Sequence, residues 1–436
     1  MTNLNANTKI KMHLTPEETA MMQGTHGETI RKIMETLTRL GDTYGAESFV
    51  PLDGPSHLVG CYAVPATQPY VELVEALANE GIRTKFPFTA NPLPLDNANI
   101  TPTAKEQAYF DTACAHQPRL EANLAKIGMI NPKSYTCTCY LNEVGNTPNR
   151  GDNLAWAESS AVVFANSVLG ARTNRNAGII DLFCAIVGRA PKYGFLTDEG
   201  RRASWVIELK TTELPNPHLL GSAIGQKVME QVPYIKGLDR FLGSKLNAAA
   251  RDYLKEMGAS TASNGAVGLY HVENLTPEAS DFGETLIRDN AQTYVIDEAE
   301  LTRIKAAYPQ MWPQPGSPPA VAFVGCPHYS FEQLVDWTDK MQAELAKHGH
   351  NVLAVPTIFA AAVQVMERFA ASEHHARFTA TGAVLSSVCP LLYATNPVMD
   401  NSNVITNSNK LRTYSKARFV EDDELLSVIA KGGATL

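Results

Sequence analysis

Two cysteine–proline pairs stand in turns of the same kind. Gly325-Cys326-Pro327-His328 follows an apolar run at 320–324 that reads as a strand, and it precedes a helix announced by a Ser330/Gln333 capping box. Ser387-Val388-Cys389-Pro390 follows a second strand-like run at 383–385. Ligands of α/β proteins gather at the C-terminal ends of strands, beside helix N-termini. The helix dipole favours a thiolate there, which suits a metal ligand or a nucleophile. The plainer reading of a single such cysteine is a small buried hydrophobe in a turn. Proline after the cysteine stiffens the loop and removes one donor that would need a partner. Cys137 and Cys139 flank Thr138, and in an extended segment both thiols face the same side. No CxxC zinc pattern is present. Cys61, Cys114 and Cys184 lie in apolar stretches and read as structural.

A second constellation runs from Glu158 to Arg175. The run 154–169 is apolar almost all round and predicts a deeply buried helix ended by Gly170. Each unpaired polar group inside such a helix costs ~1–3 kcal/mol. Glu158, Ser159, Asn166 and Ser167 must therefore bond to one another, to a ligand or to the surroundings of a metal. Arg172 and Arg175 emerge just past the helix, where a guanidinium can clamp a carboxylate or phosphate. The alternative is a complement to the helix C-terminus within a structural hydrogen-bond net. Ser56-His57 sits in a Gly-Pro-Ser-His turn, readable as an active-site pair or as a plain turn. Glycine-rich phosphate loops are absent, and so are the signatures of Ser-His-Asp and papain-like sites.

These residues must be positioned by alternating helices and strands. Thr15 and Pro16 open one helix; Ile30, Ile33, Met34, Leu37 and Leu40 stripe another, with Gly41 as its stop. A strand is predicted at 48–52, a helix around 70–77 and an alternating strand over 82–88. Residues 179–187 predict a further short buried helix. Beyond the proline-rich linker candidate at 308–319, strands are predicted at 320–324, 351–355, 383–385 and 404–406, with helices over 331–347 and 357–371. The class is α/β, in three lobes at 1–130, 131–315 and 316–436.

Length and composition narrow the classes further. At 436 residues the chain exceeds one small module, and 44% hydrophobic against 19% charged residues excludes a disordered protein. A net charge of −8 argues against nucleic acid or an anionic membrane as the main partner. No apolar run is long enough to span a bilayer, and the N-terminal residues 1–6 lack the pattern of a secretory signal. Seven thinly spread cysteines point to a cytoplasmic protein with free or metal-bound thiols.

Taken together, the Tyr135-Thr136-Cys137-Thr138 segment, the block from Ala157 to Arg175, the Gly-Cys-Pro-His turn and the Thr406-Asn407-Ser408-Asn409-Lys410 loop resemble the aconitase X family, in particular its large catalytic subunit. The resemblance runs in order over about residues 14–430. It implies an aconitase-like arrangement of α/β lobes around a central cleft, with the swivel domain on a separate small subunit that carries a catalytic serine. It also implies a hydro-lyase whose iron–sulfur cluster is held by Cys137, Cys326 and Cys389. A 4Fe-4S cluster is favoured, with 2Fe-2S or mononuclear iron as alternatives. Cys139 stands where the family pattern has proline, so Cys137 and Cys139 remain alternatives for the first ligand.

The expected substrate is a small hydroxy acid, cis-3-hydroxy-L-proline giving Δ1-pyrroline-2-carboxylate. The alternatives are mevalonate 5-phosphate, or a non-catalytic metal-binding scaffold. His57, His328 and Lys410 are the in-chain candidates for acid–base or orienting roles. Arg172, with Ser159 and Asn166 near it, is expected to hold the carboxylate. Ser56, Asn91, Arg175 and Ser408 complete the candidate substrate contacts.

Overall fold

Strands along the chain collect mainly into parallel sheets, each backed by helices. The computed structural model describes residues 10–431, so the N-terminal residues read as lacking a secretory signal lie outside it. Among the described residues no helix is long and apolar enough to cross a membrane.

In the first part of the chain Ser56–Leu58 lies parallel to Phe88–Ala90, and Phe49–Pro51 pairs antiparallel with Arg189–Pro191. Single bridges join Phe88 to Met129, Ala90 to Tyr135 and His57 to Trp156. The break expected near residue 130 thus falls inside a unit that the backbone ties together up to Pro191. The strand expected over 82–88 is confined to Phe88–Ala90. The amides of Thr84 and Lys85 are spent instead on the carbonyls of Ile127 and Ala185. Gly41, expected to stop a helix, lies inside Glu28–Thr43. A Cβ at that position would stand 2.2 Å from Met12 Sδ, so glycine there lets the N-terminal segment pack close.

The buried helix also starts later than its apolar run suggests. Glu158 caps Ser159–Phe164, and the helix continues to Leu169 through a widened π-type turn. Residues before Glu158 are extended because their amides have other partners: Leu154 N–H donates to the Arg172 carbonyl and Trp156 N–H to Thr173 Oγ1.

A second sheet has the order His271–Val272, Pro233–Lys236, Ala203–Leu209, Ile287–Ile296 and is parallel throughout. Helices Pro217–Val228 and Ala248–Gly265 cross over it almost backbone to backbone. A Cβ on Gly265 would lie 1.8 Å from the Gly225 carbonyl.

The third sheet positions the candidate site. Its order is Val384–Ser386, Thr357–Ala361, Val321–Tyr329, Val404–Thr406, Arg418–Phe419, again all parallel. Here the strand expected at 351–355 and the helix expected over 357–371 are corrected to a strand Thr357–Ala361 followed by a helix Val363–Ala370. All five strand residues are buried, and an apolar run without alternation reads equally as helix or strand. Residues 354 and 355 instead donate to the Ile429 carbonyl.

Candidate active site

The third sheet begins at its centre with Val321–Tyr329, builds outward through Thr357–Ala361 and Val384–Ser386, then crosses to Val404–Thr406 on the other side. Such a reversal opens a crevice at the strand C-termini. Cys326 and His328 lie on one flank of it, and Ser408 and Lys410 follow the strand on the other. Gly325 makes the turn possible: its φ is +95°, and a Cβ there would meet the Ala360 carbonyl at 2.5 Å. Across the crevice the Ser408 hydroxyl donates to the Cys326 carbonyl. It also caps the helix Asn409–Tyr414 by accepting from Leu411 N–H.

Cys137 and Cys389 arrive from elsewhere in the chain. Cys137 Sγ accepts from the His328 backbone N–H at 3.3 Å. Cys389 N–H donates to the Leu93 carbonyl at 2.8 Å. Asp96, three residues further on, accepts from Ser386 Oγ and Ser387 N–H, both at 2.8 Å, and so pins the approach to Cys389. Among the described residues no group of three or more His, Cys, Asp or Glu side chains forms a site for a single metal ion. The turns that carry Cys137, Cys326 and Cys389 nonetheless meet at His328, whose N–H reaches Cys137 Sγ and whose Nε2 faces the Val388 carbonyl. Burial lifts the Cys137 and Cys326 thiols to about 12 and that of Cys389 to about 11. The chain turns at Cys137, so Cys139 does not share its side. The Cys139 thiol is buried and bonded to Thr89.

Lys410 is the cation of this region. Its Nζ donates to Glu158 Oε1 at 2.5 Å, and both side chains are buried. Glu158 Oε2 meanwhile accepts from Ala161 N–H and Ser160 Oγ, each at 2.6 Å. Burial alone would raise the Glu158 carboxyl, but Lys410 and these donors bring it down to about 2. Burial opposes the charge on Lys410, yet Glu158 and the thiols hold its pKa well above the ordinary value. Both partners are therefore ionised at neutral pH. The partner that a buried Glu158 demanded is this lysine, 252 residues away.

Both candidate histidines are fully engaged. His57 Nδ1 lies 2.8 Å from Thr89 Oγ1 and Nε2 lies 3.1 Å from Asn91 Oδ1. His328 Nδ1 lies 3.0 Å from Thr136 Oγ1 and Nε2 lies 3.1 Å from the Val388 carbonyl. Burial pushes both imidazoles down to about 4, so both are neutral at physiological pH. Ser159 stays beside Glu158, its Oγ 3.5 Å from Oε1. Ser56 is buried in its strand, with its carbonyl accepting from Asn146.

Two expected substrate contacts sit at the other end of the buried helix. Asn166 donates to the carbonyls of Thr173 and Gly268 and accepts from Thr173 N–H and Arg201, which fills its capacity. Arg172 pairs with Asp198 at 2.6 Å and lines a separate cavity of about 430 Å³ with Arg201, Arg202 and Glu278. Eleven helical residues separate Glu158 from this end, roughly 15 Å. Arg175 differs from Arg172. The chain from Arg172 runs parallel to the segment beginning at Asn153, back toward Trp156, which bridges His57. Arg175 is exposed and forms no hydrogen bond or ion pair among the described residues. Thr89, Asp96 and Thr136 were not legible as site residues, since nothing in their local sequence sets them apart.

Comparison with known proteins identifies the group to which this arrangement belongs. Models of the aconitase X first, second and third domains match residues 11–199, 203–306 and 319–427. The chain belongs to the aconitase X family. As a member it is a hydro-lyase. It is 31% identical over 352 residues to the phosphomevalonate dehydratase large subunit of Thermococcus kodakarensis, covering 80% of this chain and 81% of that one. To the corresponding large subunit of Methanocaldococcus jannaschii it is 34% identical over 344 residues, 77% of this chain and 79% of that one. The cis-3-hydroxy-L-proline dehydratase of Pseudomonas aeruginosa is 29% identical over 420 residues, which is 91% of this chain and 65% of that one. The crystal structure of Thermococcus kodakaraensis aconitase X in its holo-form superposes with a TM-score of 0.79 at 26% identity, over 96% of this chain and all of that one.

The donor set of this aconitase X chain suits a multi-atom iron group. The buried Cys137 and Cys326 thiols and the half-buried Cys389 thiol will not ionise without a cation, and Lys410 is already neutralised by Glu158. A cluster several atoms across also takes its thiolates from positions that need not converge on one point.

Proposed function

We propose that this chain is the large subunit of a dehydratase that removes water from cis-3-hydroxy-L-proline. In this reading Cys137, Cys326 and Cys389 hold an iron–sulfur cluster, with 4Fe-4S favoured. The observation that carries the proposal is the meeting of these three cysteine turns at one sheet crevice, beside a buried lysine–carboxylate pair. When bound, such a cluster leaves one iron without a protein thiolate, open to act as a Lewis acid on a hydroxyl.

The chain's own residues orient the substrate and exclude water. Arg175 offers a planar two-point fork to one carboxylate. Arg172 pairs with the exposed Asp198 and lines a different cavity, so Arg175 is the favoured clamp. Neutral His57 fixes Asn91 beside the end of its strand, donating through Nε2–H to Oδ1. Every acid–base candidate in the chain already has protein partners: His57, His328 and Lys410. This supports a base supplied from outside the chain, a serine on a small swivel-domain subunit, and the naming of relatives as large subunits supports such a partner.

Arg175→Lys keeps the charge and loses the fork. Loss of a charge-assisted hydrogen bond costs ~1.5–3 kcal/mol, so KM is expected to rise roughly 10–150-fold while iron content stays unchanged. Arg172→Lys, whose partner is an exposed Asp198, should leave KM unchanged. Steady-state kinetics on both variants with the small subunit provide the check; the opposite ranking would return the clamp to Arg172.

A second reading has its own support. The phosphomevalonate dehydratase large subunits match over about four-fifths of their own length. A phosphorylated substrate would bring two further negative charges, and around the site the cations other than Arg175 are already paired: Lys410 with Glu158, and Arg172 with Asp198. Assaying cis-3-hydroxy-L-proline and mevalonate 5-phosphate side by side decides between the two substrates.

A further inference from the structure

We infer that His328 is a positioning residue: one imidazole that clamps the three cysteine turns together. The inference rests on the three-cysteine assignment above. The backbone of His328 belongs to one cysteine turn, and its contacts land on the other two. Its own backbone is two residues past Cys326, and its N–H donates to Cys137 Sγ at 3.3 Å. Its Nε2 faces the carbonyl of Val388, the residue before Cys389, at 3.1 Å. Its Nδ1 faces the hydroxyl of Thr136, the residue before Cys137, at 3.0 Å.

Chemistry fixes the tautomer. A carbonyl only accepts, so Nε2 must carry the proton. Nδ1 is then the acceptor, and the Thr136 hydroxyl donates to it. Thr136 Oγ1 in turn accepts from Thr138 N–H at 3.1 Å, which orients that hydroxyl. Removing the Nε2 proton would strand the Val388 carbonyl and so break a buried hydrogen bond beside a ligand turn. The ring is fully buried and has no free edge for a substrate. Its carbonyl is held as well, by the buried Lys255 Nζ at 3.2 Å.

This position differs from that of Ser408 or Asp96, each of which secures one turn. An imidazole carries a donor and an acceptor on two edges of one rigid ring, and here they reach two turns while the backbone belongs to the third. Among standard side chains, glutamine can reproduce the Nε2–H donor but not both contacts with the same rigidity.

The test compares His328→Gln, His328→Leu and Thr136→Val in anaerobically purified chain. The readouts are iron per chain, the visible absorption spectrum, the rate of iron loss to a ferrous chelator, and the melting temperature. His328→Leu is expected to lose iron roughly 10-fold faster or more, with an altered spectrum for the iron it retains, as follows from losing buried hydrogen bonds. Thr136→Val should show the same change in smaller measure, and His328→Gln should fall between wild type and His328→Leu. If His328→Leu does not fold, Thr136→Val and His328→Gln carry the comparison.

Wild-type iron retention and spectrum in the folded variants would overturn the inference. So would a His328→Gln protein with normal iron and spectrum but an abolished kcat, which is the signature of proton transfer. Absence of iron from wild type as well would instead overturn the three-cysteine assignment on which the inference rests.

Discussion

Replacing Lys410 with methionine is expected to destabilise the chain by about 3–5 kcal/mol, because it leaves Glu158 ionised and buried without its counter-charge. Glu158 cannot escape to solvent: its second oxygen is committed to Ala161 N–H and Ser160. The pair also crosses the molecule, joining the cap of the first unit's buried helix to the helix that follows Val404–Thr406. Lys410→Met should therefore loosen the crevice as well as lower stability. The double variant Glu158→Gln/Lys410→Met should recover much of the loss, since a neutral amide still accepts from Ala161 N–H and needs no cation. Denaturant unfolding of the three proteins tests this, and a Lys410→Met chain as stable as wild type would contradict it.

The pH dependence has a definite sign. Glu158 is depressed from 4.5 to about 2, so its contribution is fully present above the ordinary carboxylate range and is lost as pH falls toward 2. In Glu158→Gln that part of the acid sensitivity should disappear.

The second large effect concerns the thiols. Cys326→Ser and Cys389→Ser are each expected to abolish iron binding, whereas Cys184→Ser should keep it. Cys61 is the stricter control. It lies close enough to Cys389 for their charges to interact, but its thiol donates to the Pro92 carbonyl at 3.4 Å. Cys61→Ser preserves that donor and should retain iron. Cys137→Ser should cost more iron than Cys139→Ser, because Cys137 accepts from the His328 N–H in the Cys326 turn while Cys139 bonds to Thr89. Iron analysis of anaerobically purified variants gives the ranking, and full iron in Cys326→Ser or Cys389→Ser would remove those residues from the ligand set.

Much of this site was legible because its chemistry sits at ends of elements, where local sequence is most informative. The capping box at Ser330, the strand at Val404–Thr406 and the Cys-Pro turns carry short-range signals, and the structure places them where those signals indicate. What was illegible depends on long-range partners. Thr136 is 192 residues from His328, and Asp96 is 290 from Ser386. No periodicity connects such positions.

Arg172 and Arg175 show the same limit. Both follow one helix, and only the later Asp198 and the parallel run beside Asn153 separate a held guanidinium from a free one. The strand Thr357–Ala361 was missed for a different reason. Complete burial erases the alternation by which strands are recognised, and its alanines carry high helix propensity.

The central claim, water elimination at the three-cysteine crevice, is tested most directly by one comparison. Anaerobically purified wild type and Cys326→Ser, each combined with the small subunit, are incubated with cis-3-hydroxy-L-proline, and the pyrroline product is followed by NMR. The account predicts product from wild type and none from Cys326→Ser. Equal product from both proteins would contradict it.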